Sequence, residues 1–234
     1  MKRKWKFFLA IGLCLLFSCG VFLCRLTAAA NAQRRLTVVL DAGHGGIDCG
    51  VLGLSTGVKE SDISLAIVKK LRAFLRESGV NTVLTRSTDA GLYGVVGNGM
   101  KKRDMQSRKR IIDNASPVAV VSVHQNSYPQ NRSHCGGQVF YRAESEKGEL
   151  LAAAIQKQLN AVNPFRQDRT IHAGDYYMLN CTDAPSVIVE CGFLTNEAEE
   201  KLLQTEEYQA QVAGGIAQGV LSFLAVETGK TFPI

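Results

Sequence analysis

Short apolar runs alternate along the chain with longer stretches in which apolar residues recur every three or four positions. The runs Leu36 to Leu40 and Val80 to Thr85 predict strands. The stretch between them predicts a helix, which Ser61 and Asp62 could cap and which Gly79 would end. Its apolar positions at helical spacing are Leu65, Val68, Leu71 and Leu75. Together these elements predict a β-α-β unit.

The same alternation continues towards the C-terminal end. It predicts helices over 104–114 and 146–162, strands over 118–123, 138–141 and 187–189, and C-terminal helices to about residue 226. Alternating strands and helices are typical of the α/β class. We therefore expect residues 36–234 to form a single domain with a twisted, mostly parallel sheet flanked by helices.

Residues 1–35 have the pattern of an export segment. The first six residues carry four positive charges, and Phe7 to Cys24 follow as eighteen residues without a charge. Ala30 to Ala32 fit the small-x-small pattern that a signal peptidase cleaves, while the length of the apolar run is close to that of a membrane span. A cleaved signal peptide and a retained membrane anchor both remain open, and both place the domain outside the cytoplasm.

Composition and charge narrow the classes of function. An apolar fraction of 46% with 21% charged residues excludes a disordered chain. The net charge of +6 comes from residues 1–35, which hold seven basic residues and no acid and leave 20 basic against 21 acidic residues elsewhere. We therefore expect no nucleic-acid partner, because phosphate binding requires a basic surface.

Four cysteines lie in the predicted domain. Three others fall within the N-terminal apolar run and are set aside with it. The four could form up to two disulfides in any of three pairings, or remain free and buried. Their spacing includes no CxxC motif, so it supports no structural zinc knuckle. The four are Cys49, Cys135, Cys181 and Cys191.

Three polar residues with catalytic potential end three apolar strands of the predicted sheet. They are His44 in a glycine-rich loop, His124 and Glu190. Ligands of open α/β sheets bind beyond the carboxyl ends of the strands. A buried carboxylate such as that of Glu190 requires a cation or a metal nearby.

A hydrolytic zinc site uses three protein ligands from histidine and carboxylate side chains and leaves one position for water. Two histidines are available here, and Glu60, at the start of the first helix, is the available third ligand. Spacing alone does not choose among Glu60, Asp62 and Asp48.

Several segments in this order resemble the zinc-dependent N-acetylmuramoyl-L-alanine amidases of bacterial cell walls. The resemblance runs from about Leu36 to Leu224 and is closest to the sporulation or germination-specific branch. Ala42 replaces the usual proline, and Val123 and Gln125 flank His124 where isoleucine and alanine are more usual. The segments are VVLDAGHGGIDCG (38–50), KESDISL (59–65), LTRSTD (84–89), MQSRKRIIDNA (105–115), SVHQNS (122–127) and VIVECGFLTNEAEEKLL (187–203).

The resemblance implies that His44, Glu60 and His124 hold Zn²⁺ and that Glu190 is the catalytic carboxylate. It implies hydrolysis of the amide between the lactyl group of N-acetylmuramic acid and L-alanine in peptidoglycan. In the sporulation branch this step precedes formation of muramic-δ-lactam in the spore cortex, for germination.

The expected partners are peptidoglycan, the membrane if the N-terminal segment is retained, and an activating protein. A zinc peptidase that cuts within the stem peptide is the alternative enzyme, since it would use the same residues. A wall-binding module without catalysis and a membrane-tethered scaffold are the non-enzymatic alternatives, and the intact set of four residues argues against the former.

The remaining polar and aromatic residues are interpreted as structural. We expect His134 and His172 in loops, Arg86 and Arg108 in ion pairs, and Tyr176 to Leu179 in a half-buried strand.

Overall fold

The computed structural model describes residues 36–233, in which a six-stranded mixed sheet forms the centre of the domain. The strand order is β2-β1-β3-β6-β4-β5. β2, β1, β3 and β6 are mutually parallel, β4 is antiparallel to β6, and β5 is parallel to β4. The strands are β1 (Thr37–Ala42), β2 (Asn81–Leu84), β3 (Ala119–Asn126), β4 (Gln138–Tyr141), β5 (His172–Ala173) and β6 (Ser186–Phe193). The predicted α/β class and mostly parallel sheet are confirmed.

Helices cover both faces of this sheet. The helices are α1 (Glu60–Glu77), α2 (Met100–Ala115), α3 (Glu146–Val162), α4 (Tyr177–Asn180), α5 (Glu197–Leu203) and α6 (Glu206–Thr228). α1, α3 and α6 pack together over one face, whereas α2 and α4 cover part of the other. The first face buries the larger apolar cluster, and the second buries a smaller one that includes Ile112, Met178 and Ile188.

The alternation of side chains along β1 and β3 places polar residues on the second face. Val38 and Leu40 of β1 point into the larger apolar cluster, whereas Val39 packs in the smaller one. Successive side chains of a strand point to opposite faces, so Asp41 shares the face of Val39, and His124 shares the face of Val120. Polar residues at one end of this face thus lie beneath α2 and α4.

α6 is the only helix among residues 36–233 that is long and apolar enough, by length and composition, to cross a membrane. Within the domain, 61% of its most apolar window is buried. It packs between α1 and α3, and we interpret it as a core helix. The predicted segment of residues 1–35, with its signal or anchor role, lies outside the described residues, so the domain division at 35/36 stays a prediction.

Some predicted boundaries differ from the structure. β3 continues to Asn126 and β6 to Phe193, so His124 and Glu190 lie within strands rather than after them, because the ladder continues through the pair His124 and Glu190. α1 begins at Glu60 after Lys59, which provides no side-chain cap, so Ser61 and Asp62 are inside the helix.

The prediction of a strand from Tyr176 to Leu179 is wrong. Tyr177–Asn180 form the short helix α4. This turn buries the adjacent side chains of Met178 and Leu179 in the smaller apolar cluster, whereas a strand would point them to opposite faces. Packing against the sheet thus overrides the strand preference of the aromatic residues.

The four cysteines of the domain are free thiols, so the structure favours the unpaired alternative. Cys135, Cys181 and Cys191 are buried, and Cys49 is partly buried. Burial raises the pKa of the Cys135 and Cys181 thiols and raises that of Cys191 further still, so these groups stay neutral.

The crossing of α6 over α3 requires a glycine and generates a first prediction. A Cβ at Gly219 would lie 2.5 Å from Cα of Ile155, whereas a Cβ at Gly214 would meet nothing closer than the Phe74 ring at 3.9 Å. Gly219→Ala should lower the free energy of unfolding by about 1–3 kcal/mol, because the backbone of α3 must move. The measurement is urea denaturation.

Gly214→Ala on the same helix is the matched control. It should be neutral or stabilising by up to about 1 kcal/mol, because alanine is the better helix former. Equal effects of the two substitutions on stability would contradict the close approach of α3 and α6.

Candidate metal centre

A glycine-rich turn directly after β1 presents His44. The backbone of His44 has a φ of 59°, in the left-handed region that few non-glycine residues adopt. The N–H of Gly43 donates to the carbonyl of Val123 (2.9 Å), which ties the turn to β3. A Cβ on Gly43 would lie 2.3 Å from Cε1 of His124, so glycine is required for this approach. The ring centroids of His44 and His124 are consequently 5.0 Å apart.

Three side chains with ligand atoms converge at this turn. Oε1 of Glu60 lies 3.2 Å from Nε2 of His44 and 2.8 Å from Nδ1 of His124. One ligand atom from each residue lies within 4.8 Å of the other two. On a tetrahedral zinc ion with bonds of about 2.0–2.1 Å, two ligand atoms are about 3.4 Å apart. The separations and the donor set of two imidazoles and one carboxylate therefore fit a hydrolytic zinc site.

Glu60 is the buried centre of the cluster. It is the first residue of α1 and is 2% exposed. Its Oε2 accepts a hydrogen bond from the N–H of Val51 (2.9 Å), and its Oε1 accepts one from the N–H of Gln125 (3.2 Å). Burial alone would raise the pKa of Glu60, but hydrogen bonds and charges from His124 and His44 hold that pKa far below its usual range. The carboxylate is therefore ionised and oriented.

Asp48 and Asp62, the two alternatives to Glu60, lie elsewhere. Oδ1 of Asp48 lies 3.0 Å from Nδ1 of His44, where it orients the ring so that Nε2 faces Glu60. Burial alone would lower the pKa of His44, but Glu60 and Asp48 together raise it. Asp62 is exposed on α1 and outside the cluster. Of the three acids that spacing left open, the structure brings Glu60 to the two histidines.

Glu190 lies beside the cluster without being part of it. It pairs with His124 in the ladder between β3 and β6. Its side chain is partly buried, and its Oε2 is a buried atom that has no hydrogen-bond partner within residues 36–233. Burial raises the pKa of Glu190 to about 7, an effect that the nearby His124 opposes and that Glu60 reinforces. A carboxylate of this kind is suited to exchange a proton near neutral pH.

A buried guanidinium supports the turn from below. Arg108 of α2 is fully buried and pairs with Asp41 and with Asp104, each at 2.6 Å. Its two Nη atoms also donate to the carbonyl oxygens of Ala42 (2.7 Å) and His44 (2.6 Å). The position of His44 therefore depends on α2 as well as on β1.

Arg86 provides a second support for the same turn. It donates to the carbonyl oxygens of Ala42, Gly43 and Ser61 at 2.8–2.9 Å, and so joins the turn to the start of α1. The predicted ion pairs are confirmed for Arg108, whereas Arg86 binds main-chain carbonyls instead. Glu60 and His44 are thus fixed relative to each other by one buried side chain.

A cavity of about 210 Å³ opens above the cluster. Its walls include both histidines and Asp48, with Lys101 and Met105 from α2 and Tyr177 from α4. Tyr176 and Tyr177 are about half exposed, 47% and 46%, at this rim. The arrangement gives a ligand a basic wall from α2 and an aromatic wall from α4.

The other two histidines of the chain lie away from the cluster. The ring of His134 meets Tyr128 edge-to-face and Phe193 at a tilt, with centroids 4.7 and 5.8 Å apart, and its Nδ1 lies 3.3 Å from Nη2 of Arg169. His134 is in a loop as expected, whereas the exposed His172 belongs to the two-residue strand β5. No sequence pattern indicates Asp41 and Asp104 as supports of the site, because isolated acids resemble solvated residues until their partner Arg108 is known.

The family described as N-acetylmuramoyl-L-alanine amidase matches residues 38–222. The chain is similar to the germination-specific N-acetylmuramoyl-L-alanine amidase of Bacillus subtilis, with 34% identity over 80% of this chain and 78% of that protein. It is also similar to AmiA of Escherichia coli, an N-acetylmuramoyl-L-alanine amidase, with 31% identity over 83% of this chain and 78% of that protein.

A solved structure of the CwlD amidase from Clostridioides difficile in complex with the GerS lipoprotein is also similar to this chain. The identity is 37%, the TM-score is 0.78, and the match covers 82% of this chain and 100% of that chain. The predicted resemblance to the sporulation and germination branch is therefore confirmed.

The buried pair of Asp41 and Arg108 generates a prediction on stability and pH. Burial alone would raise the pKa of Asp41, but Arg108, Ser122 and Thr85 lower it to about 2. Asp41→Asn should cost about 3 kcal/mol at pH 7, because Arg108 loses a charged partner. Since the folded-state pKa lies below the unfolded value, this stabilisation is lost as the pH falls from about 4 to about 2. Urea denaturation of both proteins across this range checks it.

Asp113→Asn, which removes the exposed partner of Lys109 on the same helix, is the control. It should change stability by less than about 1 kcal/mol. A difference between the wild-type protein and Asp41→Asn that stays constant from pH 5 to pH 2 would contradict the role of the ionised pair.

Proposed function

The chain belongs to the N-acetylmuramoyl-L-alanine amidase family and is an amidase that acts on peptidoglycan, and we propose that His44, Glu60 and His124 hold its zinc while Glu190 moves the protons. The observation behind this proposal is that one ligand atom from each of three residues converges beside Oε2 of Glu190. This oxygen is buried and has no hydrogen-bond partner among the described residues. The bond cut joins the lactyl carboxyl of N-acetylmuramic acid to the amine of L-alanine.

Zinc bound to the three ligands would polarise the scissile carbonyl and lower the pKa of a water molecule to about 7. The chain's own residues would orient the ligand side chains and move the protons. Asp48 fixes the ring of His44, and the N–H groups of Val51 and Gln125 fix the two oxygens of Glu60. His44 and Glu60 are thus held before the ion binds, which reduces the entropy lost on binding.

Glu190 is assigned the general base and then the general acid. Its carboxylate would accept the proton of the attacking water and return it to the departing amine of L-alanine. Its Oε2 is the atom proposed for this step, because no group of the described residues makes a hydrogen bond to it. The amine must be protonated to leave, so one carboxylate performs both transfers.

A matched pair of substitutions tests these roles. Glu190→Gln should retain stoichiometric zinc but lower turnover about 100-fold or more, because the proton acceptor is removed. His124→Ala should lose both zinc and turnover, because a ligand is removed. Zinc is measured by elemental analysis, and the amine released from peptidoglycan is identified by mass spectrometry.

His172→Ala, which removes an exposed histidine of β5, is the control and should retain zinc and activity. New L-alanine amino termini on intact stem peptides, absent with Glu190→Gln, would support the proposal. Cleavage inside the stem peptide would instead favour the zinc peptidase. Full activity of Glu190→Gln would contradict the role of that residue.

We further propose that the enzyme acts outside the cytoplasm on spore cortex. The support is the similarity to the germination-specific amidase of Bacillus subtilis together with the export pattern of residues 1–35, either as a cleaved signal or as a membrane anchor. A protein partner is proposed as an activator, because the similar CwlD structure is a complex with a lipoprotein.

Expression in Bacillus subtilis tests the cortex role. In a strain that lacks its own germination-specific amidase, the chain should restore muramic-δ-lactam to the cortex, because removal of the stem peptide frees the lactyl carboxyl that forms the lactam. Muropeptide analysis of purified spores is the measurement, with Glu190→Gln as the control. An enzyme that cleaves peptidoglycan in vitro but restores no lactam would contradict the cortex role.

A further inference from the structure

Two adjacent glutamates at the start of α5 are completely buried, although neither belongs to the zinc cluster. Glu199 and Glu200 are both 0% exposed. Buried carboxylates are costly unless they are paired or hydrogen-bonded, so each requires donors. The hydrogen bonds show that the two carboxylates hold different loops.

Glu200 is inserted into the loop formed by residues 51–57, which we call the ligand loop because it precedes Glu60. Its Oε2 accepts from the N–H of Ser55 (2.8 Å), and its Oε1 accepts from the N–H (2.8 Å) and the hydroxyl (2.6 Å) of Thr56. A Cβ on Gly53 would lie 2.3 Å from Oε1, so the backbone closes around the carboxylate. Burial alone would raise the pKa of Glu200, but these donors lower it, so the group is ionised.

The ligand loop transmits this anchorage to Glu60. A bridge pairs Leu52 with Lys59, and the N–H of Gly53 donates to the carbonyl of Val58 (2.8 Å). At the base of the loop, the N–H of Val51 donates to Oε2 of Glu60 (2.9 Å), and the N–H of Glu60 donates to the carbonyl of Val51 (2.9 Å). Two hydrogen bonds thus join the base of the loop to the ligand.

The tip of the ligand loop has little else to hold it. Residues 54–57 are exposed. Within residues 36–233, one other hydrogen bond joins this tip to a distant part of the chain. It runs from the N–H of Leu54 to the carbonyl of Leu194, at 3.3 Å. Exposed segments with few contacts open most readily, so loss of the Glu200 bonds should free the loop.

We propose that Glu200 is a positioning residue for the zinc site, which acts by anchoring the ligand loop so that Val51 holds Oε2 of Glu60 and Oε1 faces His44 and His124. This inference rests on the proposed function, because it takes Glu60 as a zinc ligand. Groups that orient a metal ligand commonly contribute 10- to 100-fold to metal affinity. Glu200 acts one step further out, through the backbone of the loop.

Glu199 provides a matched control one residue away. Its carboxylate accepts from the N–H groups of Gly136 and Phe193, each at 2.8 Å, and neither of these residues is in the ligand loop. Glu199→Gln and Glu200→Gln therefore alter two carboxylates of 0% exposure on the same helix, although burial raises the pKa of Glu199 to about 7 whereas hydrogen bonds lower the pKa of Glu200. A loss of zinc affinity in Glu200→Gln alone, at similar stability of the two variants in urea, reports the connection to Glu60 rather than general destabilisation.

The experiment measures the zinc dissociation constant of the full-length protein by competition with a chromogenic chelator. Glu200→Gln should raise this constant about ten-fold or more, whereas Glu199→Gln should leave it near the wild-type value. Glutamine keeps one acceptor oxygen but turns an amide NH₂ towards backbone donors. In the metal-free protein, hydrogen exchange at the amides of Val51, Ser55 and Thr56 should be faster in Glu200→Gln only.

A second pair of variants avoids any change in the core. Thr56 is exposed, and Thr56→Val removes the hydroxyl bond to Glu200 together with the 3.3 Å bond that this hydroxyl accepts from the N–H of Val58. It should raise the zinc dissociation constant by a smaller factor. Thr56→Ser keeps the hydroxyl and should retain the wild-type affinity for zinc.

The outcomes separate the two proposals. A wild-type protein that binds no zinc would overturn the assignment of the metal site itself. A wild-type protein that binds zinc, with unchanged affinity in Glu200→Gln and Thr56→Val, would overturn the role of Glu200. Equal losses in Glu199→Gln and Glu200→Gln would also overturn it, because they would indicate general destabilisation.

Discussion

The buried guanidinium of Arg108 connects three parts of the molecule that must meet for the site to exist. It pairs with Asp41 at the end of β1 and with Asp104 on its own helix, and it donates to the carbonyl of His44. A charge with 0% exposure is stable only where its partners are fixed, so the helix, the strand and the turn are held in one arrangement. Arg86 extends this support to the first turn of α1, from which Glu60 projects. The geometry of the metal centre thus follows from buried polar contacts as well as from apolar packing.

One face of the sheet forms most of the apolar core, and the other holds the candidate site. α1, α3 and α6 bury the larger apolar cluster on one face, and this cluster supplies most of the core. The other face is only partly covered by α2 and α4, which leaves the end near His44 and His124 open to a ligand. Glu190 shares this open end with His44, Glu60 and His124, and within residues 36–233 no donor reaches its Oε2. The proposed reaction needs a metal beside a free proton acceptor, and this arrangement has the donor set for the first and a candidate for the second.

Local pattern was sufficient for the elements that have one apolar face, such as β1, α1 and α3. It also indicated His44, His124 and Glu190 as candidate site residues, because polar residues that interrupt apolar strands are conspicuous. Spacing did not choose the acid that meets the two histidines, since the approach of Glu60 depends on the turn that places Asp48 against Nδ1 of His44. The strand assigned to Tyr176–Leu179 failed because two adjacent side chains of α4 are buried together.

Glu199 and Glu200 were missed for a related reason. In the sequence they lie in an acidic run that is typical of a solvated helix, and only the loops that fold over α5 make them buried acceptors. An ion pair was predicted for Arg108, but its partner Asp41 was not, because the two residues meet only when α2 packs against β1. Buried charges of this kind depend on partners distant in sequence, so no local pattern indicates them.

We expect one ion to be held by His44, Glu60 and His124 while Glu190 remains free of it. A crystal structure of the zinc-loaded protein, with anomalous data collected on both sides of the zinc absorption edge, can locate this ion. A single strong anomalous peak should lie about 2.0–2.2 Å from one nitrogen of each histidine and from Oε1 of Glu60. A peak that is coordinated by Glu190 or Asp48 in place of Glu60, or no peak at this cluster, would contradict it.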